Sequence, residues 1–281
     1  MRRLVWFAPI DLPLGISLMH LPTLVRLCVV ALLPAALLRG ESASVSSGLK
    51  DDVRQLIVGI APEWSSAQGT LQRFERDDRG RWVKVGETVP VLFGKRGLAW
   101  GRGALEPGAA STGPTKGEAD GRSPAGAFAL GTIFGNDAAL PAGADFPYHQ
   151  VTDRDAWPDD PANPFYNRHI VIDAGNPPEW FATQRMRTGD PAYRWRVEIR
   201  HNAEPAIEPG AGSATFFHIR RGPTHPTAGC TTMAEPALRD LVVWLRATAR
   251  PHYVLLPRAE YVRLWRTWNL PDPALTIATP D

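Results

Sequence analysis

Short β-rich runs, separated by turn-forming residues, fill residues 55–93 and constrain the fold more than any other feature of the chain. The turn signals Gln68-Gly69, Asp77 to Gly80 and Gly86 mark the points where the chain reverses. The predicted strands are residues 56–60, 70–74, 82–85 and 89–93. Such a meander predicts a domain built mainly of β-structure.

The rest of the chain adds few helices. The clearest helix is predicted over residues 235–249, with Pro236 in its first turn and apolar residues at helical spacing. Shorter helices are expected at 179–187 and 258–268, and strands at 169–172, 196–200, 215–219 and 253–256. The Gly- and Pro-rich residues 101–126 predict an ordered loop running into a strand, with a linker between two domains as the alternative. The fold class is therefore mainly β with a few helices (α+β).

The N-terminus has the features of an export signal. Arginines precede an apolar run at residues 27–38, and the small residues Ser42, Ala43 and Ser44 suit a signal peptidase. We therefore predict a signal peptide over residues 1–44 and a protein exported to the periplasm or cell wall. The 12-residue run is shorter than the roughly 20 apolar residues that cross a bilayer, so membrane contact would occur only through an uncleaved leader. A start at Met19 would give a more conventional leader.

The charge balance and the number of cysteines limit the classes of function that this chain can have. The chain has 31 basic and 29 acidic residues, of which four and two lie in residues 1–44, leaving 27 of each beyond. A neutral mature body gives no electrostatic basis for binding nucleic acid. Removal of the leader also removes Cys28, so Cys230 would be the single cysteine and no intrachain disulfide would form. Such a cysteine is either a buried, inert thiol or a reactive one.

His218 and Cys230 lie on the two sides of a Gly- and Pro-rich loop. If the two arms pair antiparallel about Thr224, the two side chains stand opposite each other, with Cβ atoms about 5 Å apart. A neighbouring imidazolium would lower the pKa of the thiol and generate the nucleophilic thiolate. The backbone N–H groups of Gly229 and Cys230 are the candidate donors to a developing oxyanion.

These residues carry a family resemblance. Thr-Ala-Gly-Cys at 227–230, after Phe-Phe-His at 216–218, resembles the signature of the YkuD-type L,D-transpeptidases, in which a histidine precedes Ser/Thr-x-Gly-Cys. Residues 116–128, 157–161, 166–168, 201–202 and 212–213 add further similarity, so the resemblance covers roughly residues 50–257. Two positions differ, because many members have histidine in place of Ala228 and arginine or asparagine in place of Thr232.

The resemblance implies a partly barrel-shaped sheet that carries a Cys/His site. It implies Cys230 as nucleophile, His218 as base, Thr227 and Gly229 as residues that shape the pocket, and no cofactor. We expect the catalytic domain over residues 50–257, followed by a C-terminal helix and tail over 258–281.

The resemblance also implies peptidoglycan stem peptides as partners. Cys230 would attack the carbonyl between the L-centre of diaminopimelate and the terminal D-alanine, and an amine of a second stem would take the acyl group. With water as acceptor the protein would be an L,D-carboxypeptidase or endopeptidase. A non-catalytic wall-binding module with a buried Cys230 is the alternative from another class.

Several other residues have two possible roles. Arg220 and Arg221 are candidates for binding a substrate carboxylate or for solvating the hairpin, and Trp157 is a candidate for lining the cleft or anchoring a loop. Asn202 is a substrate-binding candidate from the similar stretch at 201–202. His225 either gates the site or is an exposed loop histidine, and structural roles are expected for His169. We predict no metal, because His218, His225 and Cys230 lack the short spacings typical of zinc ligands.

Overall fold

The β-rich runs of the sequence form strands that close into a barrel. The computed structural model describes residues 48–173 and 175–276, so the predicted leader lies outside the described residues. The strands are β1 (Gln55–Ala61), β2 (Gln68–Arg76), β3 (Trp82–Leu92), β4 (Leu98–Trp100), β5 (Ser123–Gly135), β6 (Tyr148–Gln150), β7 (Asp155–Ala156), β8 (Ile170–Val171), β9 (Trp195–Ile199), β10 (Phe216–Ile219), β11 (Thr231–Met233) and β12 (His252–Pro257). The helices are α1 (Phe181–Gln184), α2 (Glu235–Trp244), α3 (Arg258–Leu264) and α4 (Pro273–Thr276).

Eight of these strands form a closed sheet in the order β12, β1, β2, β3, β11, β10, β9 and β5. The closing pair, β5 and β12, is antiparallel and sets Tyr253 opposite Phe128. β1 and β12 run parallel, with Val58 opposite Val254. β4 and β6 are appended to β5, whereas β7 and β8 form a separate small sheet. Closure removes the free edges that an open sheet would expose, and the predicted mainly β, barrel-like fold is confirmed.

The strands β1 and β12 are apolar on both faces because each lies between two cores. In β12, Tyr253 and Leu255 belong to the larger core, whereas Val254 and Leu256 pack in a second core with Tyr261 of α3. Side chains alternate between the faces of a strand, so a strand covered on both sides is apolar throughout. This burial explains why residues 253–256 form an uninterrupted apolar run.

The helices are shorter than the sequence predicts. The helix expected over residues 235–249 ends at Trp244, because Leu245 adopts an extended backbone and is fully buried. The Arg246 guanidinium donates to the carbonyls of Val243 and Leu245, which satisfies acceptors at the helix end. The helices predicted at 179–187 and 258–268 likewise contract to α1 and α3. Among the described residues, no helix has the length and apolar character needed to span a membrane.

The Gly- and Pro-rich residues 101–126 form a loop within the sheet, as expected, and not a linker. β4 and β5 flank most of this stretch and pair with each other in parallel. Asp120 organises the loop, because its carboxylate contacts Lys116 at 2.7 Å and accepts from the backbone of Gly117 and Arg122. This loop brings Lys116 to the cavity described next.

Candidate active site

β10 and β11 place His218 and Cys230 on one face of the barrel sheet. The two strands are parallel neighbours, with His218 opposite Thr232. Side chains two residues apart on a strand share a face, so Cys230, just before β11, lies on the same face as His218. The predicted antiparallel hairpin about Thr224 is therefore wrong, although both residues line one cavity.

The loop between β10 and β11 explains why the hairpin does not form. Its returning arm pairs with the end of β3, where Thr227 N–H donates to the Phe93 carbonyl at 2.9 Å. Lys95 N–H donates to the Thr227 carbonyl at 2.8 Å. These bonds carry the arm across the end of β3, and the chain then enters β11 in the same direction as β10. Parallel neighbours require such a crossover between them.

The Cys230 side chain is half-buried and packs at the edge of a small apolar cluster that includes Phe216. Its sulfur lies 3.6 Å from the Ala214 carbonyl, a contact suited to a protonated thiol as donor. Burial raises the pKa of the thiol to about 11. A hydrogen bond from the Phe216 backbone and the positive charges of Arg196 and Lys116 act in the opposite direction but do not outweigh burial.

His218 is buried and oriented by its own strand. Its Nδ1 lies 2.9 Å from the Ile219 carbonyl, which can only accept, so Nδ1 carries the proton and Nε2 is left with the basic lone pair. The ring packs edge-on against Tyr193, with centroids 4.9 Å apart. Burial lowers the pKa of the imidazole to about 4, helped by the charges of Arg221 and Arg196. His218 is therefore neutral and ready to accept a proton near pH 7.

The resting pair thus differs from the sequence expectation of an imidazolium that lowers the thiol pKa. Burial favours the neutral form of both groups, so Cys230 rests as a thiol and His218 as an imidazole. Ionisation of the sulfur then has to accompany transfer of its proton to a base.

His218 and Cys230 line a cavity of about 460 Å³ whose wall carries charges of both signs. Lys116 and Arg221 line it, and Arg221 pairs with Asp190 at 2.6 Å. Asp159 lies in the same wall, and burial raises the pKa of its carboxyl group. Such a wall suits a ligand that carries both carboxylate and ammonium groups.

Thr227 and Gly229 shape the turn before the sulfur. Thr227 Oγ1 accepts from Gly229 N–H at 3.0 Å and donates to the Cys230 carbonyl at 2.6 Å. Because the Gly229 N–H is engaged in this turn, it does not serve as the predicted oxyanion donor in this conformation. A Cβ at Gly229 would lie 3.1 Å from the Arg122 carbonyl, so the glycine permits a close backbone contact. The Cys230 N–H remains the candidate donor.

The other predicted substrate residues have different positions. Trp157 is half-buried, donates to Asn167 Oδ1 at 2.9 Å and lines a smaller cavity together with Cys230. Arg220 is absent from the described wall of the main cavity, where Arg221 takes a place. Asn202 is fully buried, and its amide bonds to the backbone of Glu208 and Gly212. Asn202 therefore orders a loop, which does not support the predicted substrate contact.

Arg196 is a candidate functional residue that sequence reasoning missed. It is 4% exposed, and its Nε and Nη2 have no hydrogen-bond partner among the described residues. Burial lowers the pKa of the guanidinium to about 10, which leaves it charged near pH 7. With Trp157 and Asp159 it surrounds the smaller cavity that reaches Cys230. The sequence gives it little signal, because Arg196 and Glu198 occupy the polar positions of an ordinary apolar and polar alternation in β9.

A closed eight-stranded sheet with a cysteine and a histidine in one cavity defines a class of mainly β proteins with a thiol site. The sequence profile of the L,D-transpeptidase catalytic domain, YkuD, matches residues 82–254 and so spans both side chains. That match covers more than half of the chain, which therefore belongs to the YkuD family of L,D-transpeptidase catalytic domains, a family that acts on peptidoglycan. Comparison with curated proteins gives no match.

Proposed function

We propose that this protein is a peptidoglycan L,D-transpeptidase that acts through an acyl-enzyme on Cys230. One observation carries the proposal: His218 and Cys230 share a face and a cavity, and the bond from His218 Nδ1 to the Ile219 carbonyl leaves Nε2 as a base. A thiol and an oriented base in one cavity are the two groups that nucleophilic catalysis by cysteine requires.

In the first half-reaction, one proton moves from the sulfur to His218 and then to the leaving amine, and a C–S bond replaces a C–N bond. Nε2 of His218 takes the thiol proton as the sulfur attacks the carbonyl that precedes the terminal D-alanine of a tetrapeptide stem. The resulting imidazolium gives the proton to the departing amine, the C–N bond breaks, and a thioester remains on Cys230. With a pKa of about 4, His218 is a weak base but also a strong acid once protonated, which favours the second proton transfer.

Two features of the surroundings of Cys230 oppose the effect of burial on its pKa, although burial remains the larger effect. The Arg196 charge and the hydrogen bond from the Phe216 backbone both favour a negative sulfur. The unpartnered Nε and Nη2 atoms of Arg196 are held in a water-poor environment, where a fixed charge acts more strongly than in solvent. We assign Arg196 the role of stabilising the developing thiolate, and the Cys230 N–H that of binding the oxyanion.

In the second half-reaction, an amine of another stem attacks the thioester, and His218 removes its surplus proton. The sulfur leaves, recovers a proton from the imidazolium and returns to the resting thiol. Diaminopimelate stems carry both carboxylates and ammonium groups. Arg187 and Arg221 in the cavity wall match the carboxylates, and Asp159 matches an ammonium group.

Product analysis tests this proposal. The protein incubated with a diaminopimelate-containing tetrapeptide stem is expected to release D-alanine and to form a cross-linked dimer of stems, because the thioester is passed to an amine. Mass spectrometry of the products measures both. Tripeptide without dimer would identify water as the acceptor, and an unchanged tetrapeptide would contradict an acyl-transfer function.

Thiol labelling would be a weak test of the non-catalytic alternative. A sulfur with a pKa of about 11 reacts slowly with alkylating agents in an enzyme as well as in an inert binding module. Detection of the acyl-enzyme by intact mass is decisive, because a buried structural thiol forms no thioester with the stem.

Export with removal of residues 1–44 is part of the proposal. It is supported by the N-terminal sequence pattern and by membership of a family that acts on peptidoglycan. N-terminal sequencing of the protein from the periplasmic or wall fraction is expected to begin at Val45. A protein that begins there at Met1 or Met19 would contradict cleavage.

A further inference from the structure

A second cluster of ligand-type side chains lies outside the cysteine cavity and consists of His149, Asp155 and His169. Nε2 of each histidine lies 2.6 Å from Oδ1 of Asp155. One ligand atom from each of the three residues lies within 4.8 Å of the others. Within residues 48–173 and 175–276, these three residues form such a group, whereas His218, His225 and Cys230 do not.

Hydrogen bonds from Thr152 fix the carboxylate of Asp155 on the side away from the two histidines. It is fully buried, and its Oδ2 accepts from the backbone N–H and the hydroxyl of Thr152, both at 2.7 Å. These bonds fix the plane of the carboxylate and direct Oδ1 toward the two imidazoles. A buried carboxylate requires such compensation, and outer hydrogen bonds of this kind orient metal ligands in proteins.

The two histidines connect the carboxylate to solvent. The side chains of His149 and His169 are 35% and 21% exposed. They come from different parts of the chain, because His149 lies on β6 and His169 directly precedes β8, whereas Asp155 begins β7. An ion arriving from solvent would therefore bridge three separate segments.

We infer that His149, Asp155 and His169 bind one divalent transition-metal ion, with Zn²⁺ as the expected occupant. Two imidazole nitrogens and one carboxylate oxygen form a mixed set that suits zinc, whereas calcium and magnesium prefer oxygen ligands alone. Zinc lies about 2.0–2.2 Å from such atoms, so tetrahedral geometry requires the N···O separations to widen from 2.6 Å to about 3.3 Å. Rotation of the two partly exposed rings can supply this change. Each neutral ring then carries its proton on Nδ1, and solvent or an exogenous ligand completes the coordination.

The site adjoins the apolar wall behind Cys230. The ring of Phe134 lies 4.7 Å from His169 and 5.4 Å from Trp157, centroid to centroid. Phe134 and Trp157 belong to the apolar cluster against which Cys230 packs. A bound metal would fix β6, β7 and β8 to one another and thereby stabilise this wall. The inference concerns metal binding and stability, and it does not depend on the proposed acyl transfer.

Metal titration of the full chain tests the inference. The protein carries Cys28→Ser and Cys230→Ala, so that no thiol competes, and no polyhistidine tag. Calorimetry with Zn²⁺ is expected to show one site, and Co²⁺ is expected to give visible absorption bands from imidazole coordination. His149→Ala and His169→Ala should each weaken Zn²⁺ binding by at least about tenfold, since the loss of an outer-shell partner alone costs about 10- to 100-fold. Zn²⁺ at a hundred times its Kd should raise Tm by about 5–10 °C.

Matched variants decide the outcome. His225→Ala and His252→Ala remove histidines outside the cluster and should leave Zn²⁺ affinity within a factor of two. Asp155→Asn provides a third test if it folds, and the two partly exposed histidines decide the matter if it does not. Undetectable Zn²⁺ binding by the parent would overturn the inference, as would binding that survives both His149→Ala and His169→Ala unchanged.

Discussion

Replacement of Cys230 with alanine is expected to abolish formation of any covalent acyl-enzyme. The carbonyl carbon of the stem, or the strained carbonyl of a carbapenem, needs a nucleophilic sulfur, and the other cysteine in the sequence lies in the predicted leader. Intact-mass spectrometry of the parent mixed with a carbapenem should show a mass increase equal to that of the drug. The increase should be absent from Cys230→Ala at every drug concentration.

The matched control for this prediction is Cys28→Ala. It removes the other thiol of the chain and leaves the described residues unchanged, so the adduct should form at the parental rate. An adduct that persists in Cys230→Ala but disappears in Cys28→Ala would place the nucleophile in the leader and overturn the proposed mechanism.

His218→Ala is expected to slow acylation by about 10²–10⁴-fold near pH 7, the usual value of a general base. The raised pKa of Cys230 favours the upper part of this range. With a pKa of about 11, only roughly one sulfur in 10⁴ is ionised at pH 7 without help from a base. Single-turnover acylation followed by mass spectrometry gives the rate constant for parent and variant.

The pH profiles of the two proteins should differ in shape. The pKa of His218 is lowered to about 4, so the imidazole is a competent base above that pH and loses this role as the pH falls through it. The parent rate should therefore change little between pH 6 and 8. In His218→Ala the rate should rise about tenfold for each pH unit over the same interval, because it follows the thiolate fraction below a pKa of about 11.

His225→Ala is the control for both measurements, because this histidine lines the same cavity at an exposed position. Its rate should stay within an order of magnitude of the parent, with a parental pH profile. If His225→Ala reproduced the defect of His218→Ala while circular dichroism showed a folded protein, the base would have been assigned to the wrong histidine.

Local sequence patterns were sufficient to predict much of the barrel. The runs at 56–60 and 70–74 match β1 and β2 because strand propensity and turn residues act over neighbouring positions. The runs at 82–85 and 89–93 join into the single strand β3, despite Gly86 between them, because pairing with β2 continues across it through a bulge. Pairing with β2, and not local strand propensity, therefore determines that residues 82–92 form one strand.

The candidate site was predictable only in part for the same reason. Motif spacing places His218 and Cys230 in one site, and both line one cavity, but it predicts the wrong strand direction, since the pairing of Thr227 with Phe93 is not visible locally. The contact between Asp155 and His169 is not predicted either, because it joins residues 14 positions apart across a loop. The neutral resting state also escaped prediction, because it depends on burial that only the folded chain creates.

The protonated resting sulfur of Cys230 has a consequence for the lifetime of the protein. Peroxides and other oxidants react with thiolates far faster than with thiols, and oxidation beyond the sulfenic acid is irreversible for most cysteines. A resting pKa of about 11 keeps almost all of the sulfur in the less reactive form. A cysteine held as a preformed thiolate would be exposed to oxidative loss whenever its cavity lacked substrate. Here the burial that delays ionisation also preserves the reduced sulfur between encounters with substrate.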